Sequence, residues 1–389
     1  MRYGHSGGAH DGSNLIESAF DELIQKRRGL DHPTALVMPS GNMFLDRAHS
    51  VLNKQHYDNA GTDEIEQTWF LPPNDRTSSF VEIWLPLDME LKQLKLALFA
   101  PNGGDVAIAE RVSKSNHKDI TLDGRVIGQL TGETFRGRRN RIVIALAPTL
   151  TAGAERFDKG ATQHPPAAAP AGEWRIRIKA LDFTKMDEFA TTRGGDTVAG
   201  GLQFWIQRDV DYRQAESGAR QSYFIDPHDE LFDDDGAPRM RDPIHRNTRT
   251  RRFGTLNGMA TAATALVVGG SLASACEAAF YSSAGALRHN SRPPHNVLQI
   301  GKKVDLSAAS ERSPFQRGSI AAGARSGITV SLRGTSSAAP QAARSLAEKF
   351  LYNNVRPDPP DYYLSLLSNV PTDCTVQGDG AHPDELWRL

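Results

Sequence analysis

A chain of 389 residues with 39% hydrophobic residues is long enough for two compact units of ordinary domain size. With 45 Lys and Arg against 46 Asp and Glu, the formal net charge is -1, so the chain has no general attraction to nucleic acid or to an anionic membrane surface. Two cysteines, Cys276 and Cys374, are too few for a disulfide framework, and Met1-Arg2 is not followed by the apolar run of a signal peptide.

In chain order, the first periodic segment places Leu15, Ile16, Ala19, Phe20, Leu23 and Ile24 at helical spacing behind a cap at Ser13, with Gly29 as the stop. A short apolar run, Thr34 to Met38, then reads as a strand of a parallel sheet that ends at Pro39-Ser40-Gly41-Asn42. The pattern changes to period two at Leu94, Leu96 and Leu98, at Ile142 and Ile144, and at Trp174, Ile176 and Ile178 with Arg175, Arg177 and Lys179 between them. These are half-buried strands separated by turn signals, and Pro165 to Gly172 reads as a surface loop among them. The α/β style returns at Leu266-Val267-Val268-Gly269-Gly270 and at a helix from Ser336 onward. A further short helix is expected near Tyr362 to Leu367 in the Pro- and Asp-rich end.

Met259 to Cys276 carries no charge and reaches about the length of a membrane span. Its Ala, Thr, Gly and Ser content fits a buried strand with small flanking residues better. Arginine is dense at Arg136 to Arg141 and Arg246 to Arg252, which read as solvated loops. Asp226, Asp229, Glu230, Asp233 and Asp235 offer the oxygen ligands that calcium takes, but a solvated acidic loop is the plainer reading, and no cofactor is implied.

The chemistry concentrates in Gly334-Thr335-Ser336-Ser337-Ala338-Ala339-Pro340. A hydroxyl nucleophile must sit on a sharp turn with its own amide aimed at the oxygen that becomes negative. Gly334 permits the turn, Ser336 opens a helix, the alanines let that helix pack deeply, and Pro340 is expected in its first turn.

Gly-Thr-Ser-x-Ala-x-Pro, continued by Gln341-Ala342-Ala343-Arg344, resembles the nucleophile segment of the subtilisin-like serine proteases, the subtilases. Ser40-Gly41-Asn42, Val267 to Gly270, Tyr281-Ser282-Ser283-Ala284-Gly285 and Lys303 to Ala308 are similar to other stretches of that family. Arg2-Tyr3-Gly4 is similar to its substrate-binding edge strand.

The resemblance implies an endopeptidase acting on protein or peptide through an acyl-enzyme at Ser336. Asn42 would stand in the oxyanion hole, and Tyr3, Gly4, Ser40, Gly41 and Thr335 would line the substrate. It also implies an α/β fold: a subtilisin-like parallel-sheet domain lacking its N-terminal half and interrupted by an all-β sandwich. The expected divisions are 1-54 and 236-354 for the α/β segments, 55-235 for the inserted module and 355-389 for the tail.

Such a protease needs a histidine base and an orienting aspartate. In subtilases both precede the oxyanion asparagine, the histidine in His-Gly-Thr, yet none of the 12 histidines here is followed by glycine. Asp234-Asp235-Gly236 copies one aspartate motif of the family but follows Asn42, so it reads as loop. His5, His10, His32, His49 and His56 read as surface histidines. The expectation is that Asp and His come from an absent N-terminal segment. The alternative is a non-catalytic truncated relative that binds protein or glycan through its β-sandwich.

Overall fold

The computed structural model describes residues 7-353, apart from 31, 33, 87-88, 102, 104, 112-116, 136-138, 151-167, 184-185, 187-188, 192-196, 200, 208-218, 243-246, 275-276 and 286-303. Tyr3, Gly4, both cysteines and the helix expected near residue 362 therefore lie outside the described residues. The chain forms two compact units, one of residues 1-45, 232-242 and 252-389, the other of residues 46-231 and 243-251.

The first unit opens with the helix Leu15–Gly29. Its cap is Asn14 rather than Ser13, because it is the Asn14 side chain that accepts the Ile16 amide. The strand Leu36–Pro39 then pairs in parallel with Ala265–Leu272, which pairs in parallel with Leu306–Glu311. The central strand is buried along nearly its whole length, as a strand covered on both faces must be. Among the described residues no helix is long and apolar enough to cross a membrane.

One sheet face is closed by the helix Thr335–Asn353, whose Ala338, Ala339, Ala342 and Leu346 pack on Leu266, Val268 and Leu306. Three alanines at that contact let the helix backbone approach the sheet closely. The other face carries Leu256, Ala260 and Val267 with Met38 and Val304. Pro340 lies inside this helix rather than in its first turn, because helical geometry already begins at Thr335. It thereby removes the amide that would bond the Ser336 carbonyl. Gln341 compensates by anchoring the helix, donating to Ala309 O at 2.6 Å and Ser337 O at 3.0 Å.

The N-terminal helix is tied to the central strand's entry by acids. Asp21 accepts from Ala263 N, Thr264 N and Thr264 Oγ1, and Glu17, fully buried, accepts from Thr261 Oγ1 at 2.5 Å. Burial pushes the Glu17 carboxyl up to about 7, against the hydrogen bonds that favour its ionised form. The same helix exposes Leu15, Ile16 and Leu23, so the residues that spell its apolar stripe are not the ones it buries.

Among the described residues the second unit contains a two-stranded sheet, Phe189–Thr191 with Thr197–Ala199, and two large antiparallel sheets. One runs, in spatial order, Thr250–Arg251, His49–Leu52, Leu202–Ile206, Ser79–Trp84, Arg139–Leu146, Arg125–Phe135 and His117–Leu122. The other runs Tyr223–Ile225, Glu64–Leu71, Gly172–Ala180, Leu94–Phe99 and Asp105–Arg111. Burial alternates along Glu64–Leu71 and Gly172–Ala180 of the smaller sheet, the signature of a sheet with one dry face, whereas His49–Leu52 and Leu202–Ile206 of the larger are buried throughout. The dry faces meet where Phe204 stands edge-on to Phe224 and where Ser50 Oγ donates to Gln67 Oε1 at 3.0 Å.

This unit begins at Asp46, not at residue 55, because His49–Leu52 is a strand of the larger sheet; Thr250–Arg251 returns to the same sheet after the loop of residues 232-242. Within that loop Asp233 binds Arg239, and Asp235 Oδ1 accepts Ala237 N across the Gly236 turn. Asp226 is used up by the amides of His228, Arg249 and Thr250. Among the described residues no group of three or more His, Cys, Asp or Glu is arranged to hold a metal ion.

Candidate active site

The site lies wholly in the first unit, at the C-terminal end of the strand Leu36–Pro39 and the N-terminal end of the helix Thr335–Asn353. Gly334 leads into this helix at φ 107°, where a side chain would be strained and where a Cβ would come within 3.0 Å of Asn42 Nδ2. Gly41 has φ 112° for a related reason, since a Cβ there would meet Ser283 Oγ at 2.9 Å. Gly334 thus lets the serine turn meet Asn42, and Gly41 lets the asparagine loop meet Ser283.

Thr335 is the clamp between those loops. Its amide donates to Asn42 Oδ1 at 2.9 Å, and its hydroxyl, fully buried, lies 3.1 Å from Asn42 Oδ1, 3.1 Å from Gly41 N and 3.2 Å from Gly41 O. With its oxygen held by Thr335, the Asn42 amide turns its NH2 group toward Gly334 and the start of the helix, where it can serve only as a donor. The asparagine loop is fixed from behind: Ser40 N donates to Val268 O, Asn257 N to Ser40 O, Met43 N to Ser283 Oγ and Ser283 N to Gly41 O.

Ser336 is half-exposed in the first turn of the helix, between buried Thr335 and buried Ser337. Among the described residues neither its hydroxyl nor its amide has a hydrogen-bonding partner. A free hydroxyl and amide beside a fixed side-chain NH2, at a helix N-terminus, form an arrangement able to hold an oxyanion. The site brings together Ser40, Gly41, Asn42, Thr335 and Ser336.

No histidine joins them among the described residues. His49 Nε2 pairs with Gln203 Oε1 at 2.9 Å while its ring stacks on Trp205, and His56 accepts Asn53 N and meets Thr248 O. Both belong to the second unit, and burial with Arg251 nearby holds His56 down to about 4, so it is neutral. His10 is buried in the first unit.

Sequence reasoning missed the residues that surround the serine turn. Glu311, buried, accepts from Gly318 N at 2.5 Å and pairs with Arg333 Nε, closing the base of a hairpin formed by Ser319–Ala322 and Thr329–Leu332. Arg333 also lies over the Phe280 and Tyr281 rings at 5.0 and 4.8 Å. The hairpin strands are only four residues each and largely exposed, so the polar–apolar alternation of Thr329–Leu332 is too short to mark a strand by itself.

No family model matches the chain, and no curated protein matches it. The solved structure of the Clostridium perfringens CspB protease is similar, with a TM-score of 0.53 over 90% of this chain and 15% identity, a likeness of fold alone. The chain spans 55% of the length of that protein's chain. The resemblance to subtilases is therefore corrected: it does not make this chain a member of the family, since no family model recognises it. The physical reason is that a positive-φ glycine followed by Thr, Ser and alanines suits any helix launched tightly onto a sheet, so a seven-residue likeness carries less than its spelling suggests.

Proposed function

We propose that the first unit carries the acyl-transfer site of a serine endopeptidase, with Ser336 as nucleophile and the Asn42 side-chain amide and the Ser336 backbone amide as oxyanion donors. The observation that carries this reading is the Thr335 clamp, which fixes the Asn42 amide oxygen and leaves its NH2 group beside the serine turn. An asparagine that merely closed a turn would not need its oxygen tied to the residue before a half-exposed serine.

In the reaction Ser336 Oγ bonds to the peptide carbonyl carbon, the C–N bond breaks, the amine leaves with a proton, and water then releases the acid. The Ser336 proton must pass to a base, and no described residue is bonded to Ser336 to take it. Without that base the oxyanion donors alone would retain only a small part of the rate. A non-catalytic role, with the β unit as a binding module, is favoured by that same observation and is the competing reading.

A fluorophosphonate probe, which adds to activated serines, separates the two when applied to the full chain. Stoichiometric labelling located at Ser336 and lost in Ser336→Ala supports acyl transfer. No labelling, with parent and variant alike, supports the non-catalytic reading.

A further inference from the structure

Tyr281 touches both loops of the candidate site. Its carbonyl accepts the amide of Phe44, two residues beyond Asn42, at 3.3 Å. Its phenol oxygen accepts the amide of Gly334, two residues before Ser336, at 3.1 Å, and donates its own proton to Ser310 Oγ at 2.8 Å. Ser310 is fully buried and reaches this place because Gly270 has no side chain; a Cβ there would collide with the Ser310 hydroxyl. The following residues extend the brace, with Ser282 Oγ accepting Gly270 N at 3.0 Å and lying 3.4 Å from Ser40 Oγ.

A phenylalanine would fill the same space and stack equally well beneath Arg333, so packing does not explain the hydroxyl. The hydroxyl supplies a partner for the Gly334 amide, which lies outside the helix ladder, at the φ 107° turn that sets where Ser336 points. Burial pushes the phenol's ionisation upward, which keeps it protonated and able to donate to Ser310 while accepting from Gly334.

We propose that Tyr281 is a positioning residue for the Ser336 chemistry, its phenol oxygen setting the Gly334–Ser336 turn against the Asn42 loop with Ser310 orienting the phenol. The proposal rests on the acyl-transfer reading for its consequence in rate, and on the hydrogen bond alone for its consequence in structure.

The test is Tyr281→Phe in the full chain, read three ways: fluorophosphonate labelling as separate maximal rate and half-saturating concentration, hydrogen exchange at the Gly334 amide, and the melting temperature. A drop of about tenfold in the maximal rate, an unchanged half-saturating concentration, about tenfold faster exchange at Gly334 and a nearly unchanged melt are expected. A looser fold would speed exchange throughout the unit and would not confine the loss to the maximal rate. An unchanged labelling rate overturns the proposal. If the parent is not labelled, the acyl-transfer reading is what fails, and the Gly334 amide then decides: exchange no faster than in the parent overturns the positioning role. Should Tyr281→Phe not fold, Ser310→Ala, which removes the phenol's Ser310 partner together with the long bond from Ser310 Oγ to Ser271 O, must show the same changes to a smaller degree, or the proposal falls.

Discussion

The two units stabilise themselves by different means. The α/β unit packs small residues, Ala338, Ala339, Ala342, Val267 and Val268, and joins its loops by hydroxyl-to-backbone bonds at Thr335, Ser283 and Ser282. The β unit buries Trp69, Trp84, Trp174, Trp205, Tyr57, Phe204 and Phe224. Small side chains permit backbones to approach closely enough for short polar clamps, whereas large rings fill the space between sheets mainly by buried area, with the Ser50–Gln67 bond among them. The proposed acyl-transfer site, whose chemistry would need an amide and a hydroxyl held closely, lies in the unit with the smaller side chains.

The sharpest way to break this contrast is to cut a clamp. If Ser336 labels as proposed, Asn42→Ala is expected to slow labelling by about 10²–10³-fold, and to lower stability by about 1–3 kcal/mol because it leaves the buried Thr335 amide without its acceptor. A comparable loss of melting temperature without loss of rate would make Asn42 a packing residue only.

The units are next expected to answer pH in opposite directions. Glu17 has a folded value of about 7 against an ordinary 4.5, so its native form holds the proton more tightly; its contribution is complete below about 4.5 and is lost as pH rises to 7. His56 has a folded value of about 4 against 6.5, so its unfolded form binds the proton more tightly, and stability falls as pH drops from 6.5 to 4. Each is worth about 3 kcal/mol. Four of the five tryptophans, Trp69, Trp84, Trp174 and Trp205, lie in the β unit, so tryptophan fluorescence during denaturation follows that unit, and hydrogen exchange at Leu266–Val268 follows the other. Glu17→Gln and His56→Phe should each flatten only its own unit's profile; a shared response would mean the units unfold as one.

Core truncation sharpens the packing half of the comparison. Leu346→Ala, at the helix–sheet contact of the α/β unit, is expected to cost about 2–5 kcal/mol, read as a shift of the denaturant midpoint in exchange at Leu266–Val268. The smallest effect belongs to the solvent-exposed Lys54–Asp58 pair of the β unit, whose removal by Lys54→Ala should change stability by no more than ~0.5 kcal/mol.

Much of the local architecture is legible in the order of the amino acids. The helical spacing from Leu15, the stop at Gly29, the apolar runs around Val37 and Val267 and the alternation about Ile176 correspond to the helix and strands found there. The apolar stripe of the first helix misleads as to its orientation. Leu15, Ile16 and Leu23 are exposed while Glu17 is buried, because Thr261 and the approach of Gly12 to it reward an acid at that point. Sequence pattern places the start of the β unit too late because His49–Leu52 joins strands distant in sequence, and pairing partners leave no trace in a local window.

By itself the sequence determined where a serine opens a helix from a tight turn. A glycine able to hold φ 107°, a serine in the first turn and alanines behind it are local requirements, and local chemistry suffices to state them. Only the tertiary structure decided what surrounds it: Asn42 facing Thr335, Tyr281 bridging Phe44 and Gly334, Glu311 closing the hairpin onto Arg333. These contacts join residues tens to hundreds of positions apart. Their existence depends on the register of a parallel sheet, in which Val268 faces both Pro39 and Leu306, and no property of any one segment encodes that alignment.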